Sequence, residues 1–262
     1  MIGRVSTFPL EVQFKKNLNE QDRVLLRLAS GRRINSGKDD PAGLISATQL
    51  EGALAALEAE SRALERTDAN ANIADGHAAE LSGMMTELRR LTVASANTAG
   101  MSDAEIEANQ IQIDSLVAGI QRFAQDTISS LDGINLPDGG NEALAEELRN
   151  AANAVATLAS GGANDLHSGN FEAAQAAIAD AATAFVEARG TIGAYQKYTL
   201  QSRQSSLAVQ HENLTAAHSR IVDADFAEEA SNLSRSHVLT AASARVLKIA
   251  NQNADLVLKL LS

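Results

Sequence analysis

Gly31 and Gly37-Lys38 put two glycines and a lysine on one short stretch, the ingredients of a loop that cradles nucleotide phosphates. The spacing carries one residue more than that motif allows, and Asp39 stands where a Ser or Thr hydroxyl would hold Mg²⁺. The histidines are His77, His167, His211, His218 and His237, and no two of them sit at the i, i+4 spacing through which imidazoles on one helix face share a metal. His211-Glu212 is followed by Thr215 and not by the second His of a zinc-protease helix. His211 and His218 lie two turns apart, about 10 Å along a helix, too far for one ion. Acidic residues are numerous, but no carboxylate pair stands out for acid–base work. The chain has no Cys, so it has no thiolate nucleophile, thiolate metal site or disulfide. Asn213-Leu214-Thr215 and Asn232-Leu233-Ser234 match a glycosylation acceptor but fall inside helical heptads, and are read as incidental. The expectation is a chain with no catalytic residue, cofactor or metal, and not an enzyme.

What the sequence specifies instead is helices with faces. Leu50, Leu57, Leu64, Ala71, Ala78 and Met85 recur every seven residues, with Leu54, Leu81 and Leu88 on adjoining positions. Leu200, Leu207, Leu214 and Ile221 repeat at the same interval, and Leu239, Ala242, Val246, Ile249, Asn253, Leu256 and Leu260 alternate spacings of three and four. Such repeats keep a narrow apolar stripe facing a partner helix. Ser61, Asp68 and Asp75 fall near the first seam, so a bundle of a few long helices is expected rather than an ideal two-stranded coil. Gly31–Gly43 reads as a loop after a first helix near 10–30, with Asp40 and Pro41 opening the second. A turn follows at 99–103, capped by Ser102 or Asp103. Asp132-Gly133 between apolar residues suggests a small β-hairpin near 128–136. Pro137-Asp138-Gly139-Gly140 ends the first half, a helical stretch near 142–159 follows, and glycines at 161–162 and 169 mark turns. The fold class expected is all-α, a long antiparallel bundle with terminal coiled-coil helices.

Composition agrees. Of 262 residues, 45% are hydrophobic but only 3% aromatic, with no Trp and 3 Pro, which suits thin aliphatic seams between long helices. The net charge of −11 argues against a nucleic-acid partner and an anionic membrane surface. Residues 1–40 carry eight Lys/Arg against five Asp/Glu, whereas residues 51–120 carry four against twelve, a basic arm on an acidic body. No apolar run is long enough to span a bilayer, so no membrane insertion is expected. The opening Met1–Thr7 lacks the charged and apolar regions of a cleaved secretory signal, so any export is expected to use another route.

Arg32-Arg33-Ile34-Asn35-Ser36-Gly37-Lys38-Asp39-Asp40-Pro41-Ala42-Gly43-Leu44 and Leu88–Asn97 resemble the N-terminal signature of the bacterial flagellins. Arg189-Gly190-Thr191-Ile192-Gly193-Ala194 and Ser219–Glu229 resemble the flagellin C-terminal pattern. The resemblance covers roughly 10–135 and 171–262. It implies a secreted, extracellular subunit of the flagellar filament, made for swimming motility. Residues 1–43 and 222–262 would be terminal coiled-coil helices lining the filament's inner tube. Residues 44–135 and 171–221 would form the helical bundle, and 136–170 a short, variable, outward-facing segment. Its partners would be other copies of the chain, flagellar cap and hook-associated proteins, an export chaperone and the flagellar type III export apparatus. The opening Met1–Thr7 is similar to that of hook–filament junction proteins, the alternative carried alongside; a helical signalling rod is a third reading.

The resemblance also names residues. Subunit contacts are expected at Arg32, Arg33, Ile34, Asn35, Lys38, Asp39 and Asp40, the cations facing carboxylates and Asp39 or Asp40 capping the next helix. They are expected as well along the terminal seam at Leu239, Val246, Ile249, Leu256 and Leu260. The stretch Met85–Asn97 matches the face that the vertebrate Toll-like flagellin receptor reads in the family, which makes Glu87, Arg89, Leu91 and Val93 receptor-facing candidates. Glu87 stands where many recognised flagellins carry Arg, so weakened recognition is expected.

Overall fold

The computed structural model describes residues 8–96 and 100–261, without the side chains of Asp138 and of 254–261. Every regular element in it is helical: α1 (Phe8–Ser30), α2 (Pro41–Ala96), α3 (Asp103–Leu131), α4 (Gly140–Ala156), α5 (Phe171–Ala194), α6 (Gln201–Val222) and α7 (Phe226–Leu261). Single 3₁₀ turns lie at Pro137–Gly139 and Leu166–Ser168, and a π-helical turn, Tyr195–Leu200, joins α5 to α6. No strand forms among the described residues; the β-type pairing there is an isolated bridge between Arg32 and Asp223.

Local chemistry explains the helix ends. Pro41 supplies the preset φ of a first helical residue while Asp40 Oδ1 accepts the Gly43 N–H at 2.9 Å. Ser102 caps α3 through a reciprocal box: the Glu105 N–H donates to Ser102 Oγ and the Ser102 N–H donates to Glu105 Oε2 at 2.7 Å. The bonds that the Ser102 N–H and hydroxyl donate to the Glu105 carboxylate hold it below its ordinary pKa, the backbone bond being the largest cause.

The chain divides into two compact units, 1–57 with 210–262 and 58–209. The divisions fall inside α2 and α6. Unit 58–209 has a closed core. Its α3 contributes Ile113, Val117, Ile120, Ala124, Ile128 and Leu131, and its α5 contributes Ala174, Ile178, Ala181, Phe185, Ala188 and Ile192. Both sets follow the three-four spacing of one helix face. From α2, Ala71, Ala78, Leu81, Met85 and Leu88 are buried, as the heptad pattern predicts; Leu64 is half-buried against the same core.

One expectation changes here. Ile128–Leu131 is the last turn of α3, so no hairpin forms around Asp132-Gly133. The glycine serves a close approach instead, because a Cβ at Gly133 would collide with the Asn70 amide of α2. Asn141 fixes the turn: its Nδ2 donates to the Leu131 carbonyl at 2.8 Å and to Ile134, and its Oδ1 accepts the Leu136 N–H. The stretch 136–170, expected as a short, variable, outward-facing segment, is largely helical. It folds as α4, packed on α3 and α5, and buries Leu144, Leu148, Val155, Leu158 and Leu166 in the core. Buried Gln110 of α3 ties its connector down, donating to the Leu158 carbonyl at 2.9 Å and accepting the Leu166 N–H at 2.8 Å.

Candidate subunit interface

In the unit 1–57 with 210–262, α1 and α7 pack along each other and run antiparallel. Arg27 near the end of α1 meets Glu229 near the start of α7, with Nη1 to Oε1 at 2.9 Å. Asn17, earlier in α1, donates to Ser243 Oγ at 3.3 Å, later in α7. The α7 face turned to α1 carries buried Ser236 and half-buried Thr240, Ser243, Leu247 and Ala250. The expected seam is the other face. Leu239, Val246 and Ile249 are 49%, 48% and 56% exposed, and Val238 is 65% exposed. A helix with apolar residues at several phases of the heptad has two stripes, and α1 covers the smaller and more polar one. Leu256 and Leu260 fall on the α7 backbone, but their side chains lie outside the described residues. The α1 helix shows the same division, with Val24 buried while Phe8, Val12, Leu25 and Leu26 are exposed.

The loop after α1 is built for its own chain first. Gly31 turns with φ +70°, a left-handed conformation that favours glycine, and its N–H closes α1 on the Arg27 carbonyl at 2.8 Å. Its carbonyl then accepts the Ala224 N–H at 2.9 Å, and the Arg33 N–H reaches the Val222 carbonyl at 2.6 Å. The Arg33 guanidinium donates to the Ile221 carbonyl at 2.6 Å. Ile34 is buried against this pairing, and Asn35 Nδ2 bonds the Arg32 carbonyl. Asp39 Oδ2 accepts the Asn35 N–H, the Ser36 N–H and the Ser36 hydroxyl. The hydroxyl bond leads the causes that lower the Asp39 pKa, against some burial. Arg32 and Lys38 are exposed.

On α2, Arg89 is exposed and Val93 is 50% exposed, while Glu87 is bound to Arg90 at 2.6 and 2.9 Å. The Arg90 hydrogen bond is the main cause that lowers the Glu87 pKa. Leu91 points inward and is 3% exposed, so it is a core residue of this subunit and not a surface one. Sequence reasoning missed Arg27 and Glu229, whose one signal was charge on helix faces otherwise apolar or small. Among the described residues no three His, Asp or Glu side chains converge as a metal site, and no helix is long and apolar enough to cross a membrane.

Residues 6–142 match the family model of the bacterial flagellin N-terminal helical region, and 175–261 that of the flagellin C-terminal helical region. The chain belongs to the bacterial flagellins. It is 31% identical over 257 residues to the flagellin of Halalkalibacterium halodurans, covering 94% of this chain and 93% of that protein. It is 27% identical over 292 residues to the Bacillus subtilis flagellin, 95% of each chain. It is 27% identical over 261 residues to a flagellar filament 30.7 kDa core protein of Treponema maltophilum, 90% of each. As a flagellin it is a structural subunit that self-polymerises into the extracellular flagellar filament, and not an enzyme. The flagellin and filament names of these relatives favour that role over a hook–filament junction protein.

Proposed function

We propose that copies of this flagellin join through the exposed apolar faces of α1 and α7, the inner-tube helices of the filament. The observation that carries the reading is Val238, Leu239, Val246 and Ile249, all about half-exposed or more on the side of α7 that α1 leaves open. Burying large aliphatic side chains contributes about 1.5 kcal/mol or more each, enough for several residues to hold a weak lattice contact. Replacing Val246 and Ile249 together by Asp is expected to abolish filaments in electron micrographs while the helix content of 58–209 persists. Wild-type filament yield from that variant would overturn the reading. Deleting 239–262 is expected to give the same soluble subunit.

The exposed cations Arg32 and Lys38 extend this surface toward carboxylates of a neighbouring copy. Arg32→Glu with Lys38→Glu should weaken polymerisation at physiological salt without changing subunit helicity; unchanged filaments would make the loop a plain connector. An export chaperone, the flagellar cap, hook-associated proteins and the type III export apparatus are the further partners. An α7 face this apolar needs covering before assembly, which supports the chaperone.

Arg89 and Val93 form an α2 surface offered to the vertebrate Toll-like flagellin receptor, with Glu87 further round the same helix. An anion at Glu87 removes the charge-assisted bond that a cation could make there. In a reporter-cell assay with monomeric protein, Glu87→Arg should raise activation over wild type. Strong wild-type activation that the substitution leaves unchanged would sink this reading.

A further inference from the structure

The buried residues of α5 form a regular ladder. Ala174, Ile178, Ala181, Phe185, Ala188, Ile192 and Tyr195 alternate steps of four and three, the spacing that keeps one face of an α-helix on a core. The next step should be four and is five, to Leu200; half-buried Gln204 and buried Leu207 then resume four and three. One residue is therefore surplus between Tyr195 and Leu200. The π-helical turn is how the chain stores it. The Gln201 N–H donates to the Gln196 carbonyl, five residues back, so the turn takes in one residue more than an α-helical turn and leaves the following face in phase. The inner side of the turn is held, Tyr195 and Leu200 by burial, and Gln196 Nε2 by Asn72 Oδ1 at 3.0 Å and Asp68 Oδ1 at 3.3 Å on α2. The surplus falls on the open side, where Lys197, Tyr198 and Thr199 are exposed.

An α-helix one residue shorter would carry the same ladder without interruption, so the fold of 58–209 has no use for the surplus residue. Single π turns are rare and concentrate where a protein functions. We infer that the surplus residue serves assembly: it turns Lys197 and Tyr198 outward as a contact for a second copy of the chain. What the turn displays suits that role. Tyr198 is 70% exposed in a chain with 2 Tyr and no Trp, and the Lys197 ammonium lies 5.5 Å from its ring centroid, so a flat aromatic surface and a cation face outward together. Tyrosine is a frequent anchor of protein contacts, because it adds a large rigid area with few rotatable bonds to order. The occupant is a second copy because the chain self-polymerises, and because the cation then meets an acidic body: residues 51–120 carry four Lys/Arg against twelve Asp/Glu. This contact lies in 58–209 and is additional to the one proposed for α1 and α7.

Two variants of the full chain separate the fold from the contact. Deleting Thr199 removes the surplus residue, keeps Lys197 and Tyr198 in the sequence, and brings Leu200 to the fourth place after Tyr195. Tyr198→Ala keeps the π turn and removes the ring. As dilute monomers followed by circular dichroism, both should melt at or above the wild-type temperature. Both should raise the critical concentration for filament growth, measured by pelleting, about tenfold, the effect of losing one well-packed anchor. A Thr199 deletion that melts several degrees below wild type, or that does not fold, would show that the fold itself needs the surplus residue, and overturns the inference. A wild-type critical concentration in either variant overturns it as well.

Discussion

Two carboxylates respond to pH in opposite senses. Asp39 has its pKa lowered, chiefly by the Ser36 hydroxyl. The stability it lends the 31–40 loop is present above its unfolded pKa and is lost as pH falls through the lowered folded value. Asp39→Ala should cost about 1 to 2 kcal/mol at neutral pH, and the difference from wild type should vanish in acid, which denaturant melts across pH will show. Glu147 on α4 has its pKa raised by burial and then by Glu187. Its carboxylate weakens the unit at neutral pH, and the penalty disappears once it protonates below its unfolded pKa. Glu147→Gln should therefore raise the melting temperature at pH 7 and change nothing well below pH 4. Glycine supplies a third case at this scale. A Cβ at Gly83 would meet nothing within 4 Å, so Gly83→Ala in mid-α2 should stabilise the subunit by about 0.5 to 1 kcal/mol, read from the same melts.

At the level of elements, the long helices were legible because apolar residues at three-four spacing have one physical reading. The Asp40-Pro41 start and the Ser102 cap were legible for a like reason, since orphan N–H groups at a helix start need acceptors. Two things were hidden. In 136–170 the glycines and Pro137 resemble surface punctuation, and nothing local tells that the helix between them fills a core; only the burial of Leu148 and Val155 does. Along α7 the periodicity showed an apolar stripe but not which partner covers it, because both stripes share one period. The α4 finding changes what deletion should do. Leu148→Ala should lower the stability of 58–209 by about 2 to 5 kcal/mol. Replacing Asn141–Gly169 by a Gly/Ser linker should abolish its cooperative unfolding transition. A linker variant that melts cooperatively near wild type would show that α3 and α5 close a core without α4.

The whole chain carries a net charge of −11, and copies brought side by side repel. Contacts through apolar faces are indifferent to salt, while the long-range repulsion is screened over about 10 Å at 0.1 M. Raising NaCl from about 10 mM to about 150 mM should lower the critical concentration for filament growth, measured by pelleting. A critical concentration that rises instead would make cross-copy ion pairs, such as those proposed for Arg32 and Lys38, the dominant attraction.

The contrast between a closed core in 58–209 and half-covered helices in 1–57 with 210–262 has a calorimetric consequence. The first unit's melting is a property of one molecule and should occur at one temperature whatever the dilution. The second completes its burial only against other copies, so its apparent stability obeys mass action. Heated as filaments, it should melt in a separate transition whose midpoint climbs with protein concentration, and heated as dilute monomer it should lose its heat signal first. Folding of the terminal helices is in that sense a reaction of higher molecular order, finished only when the next copy arrives.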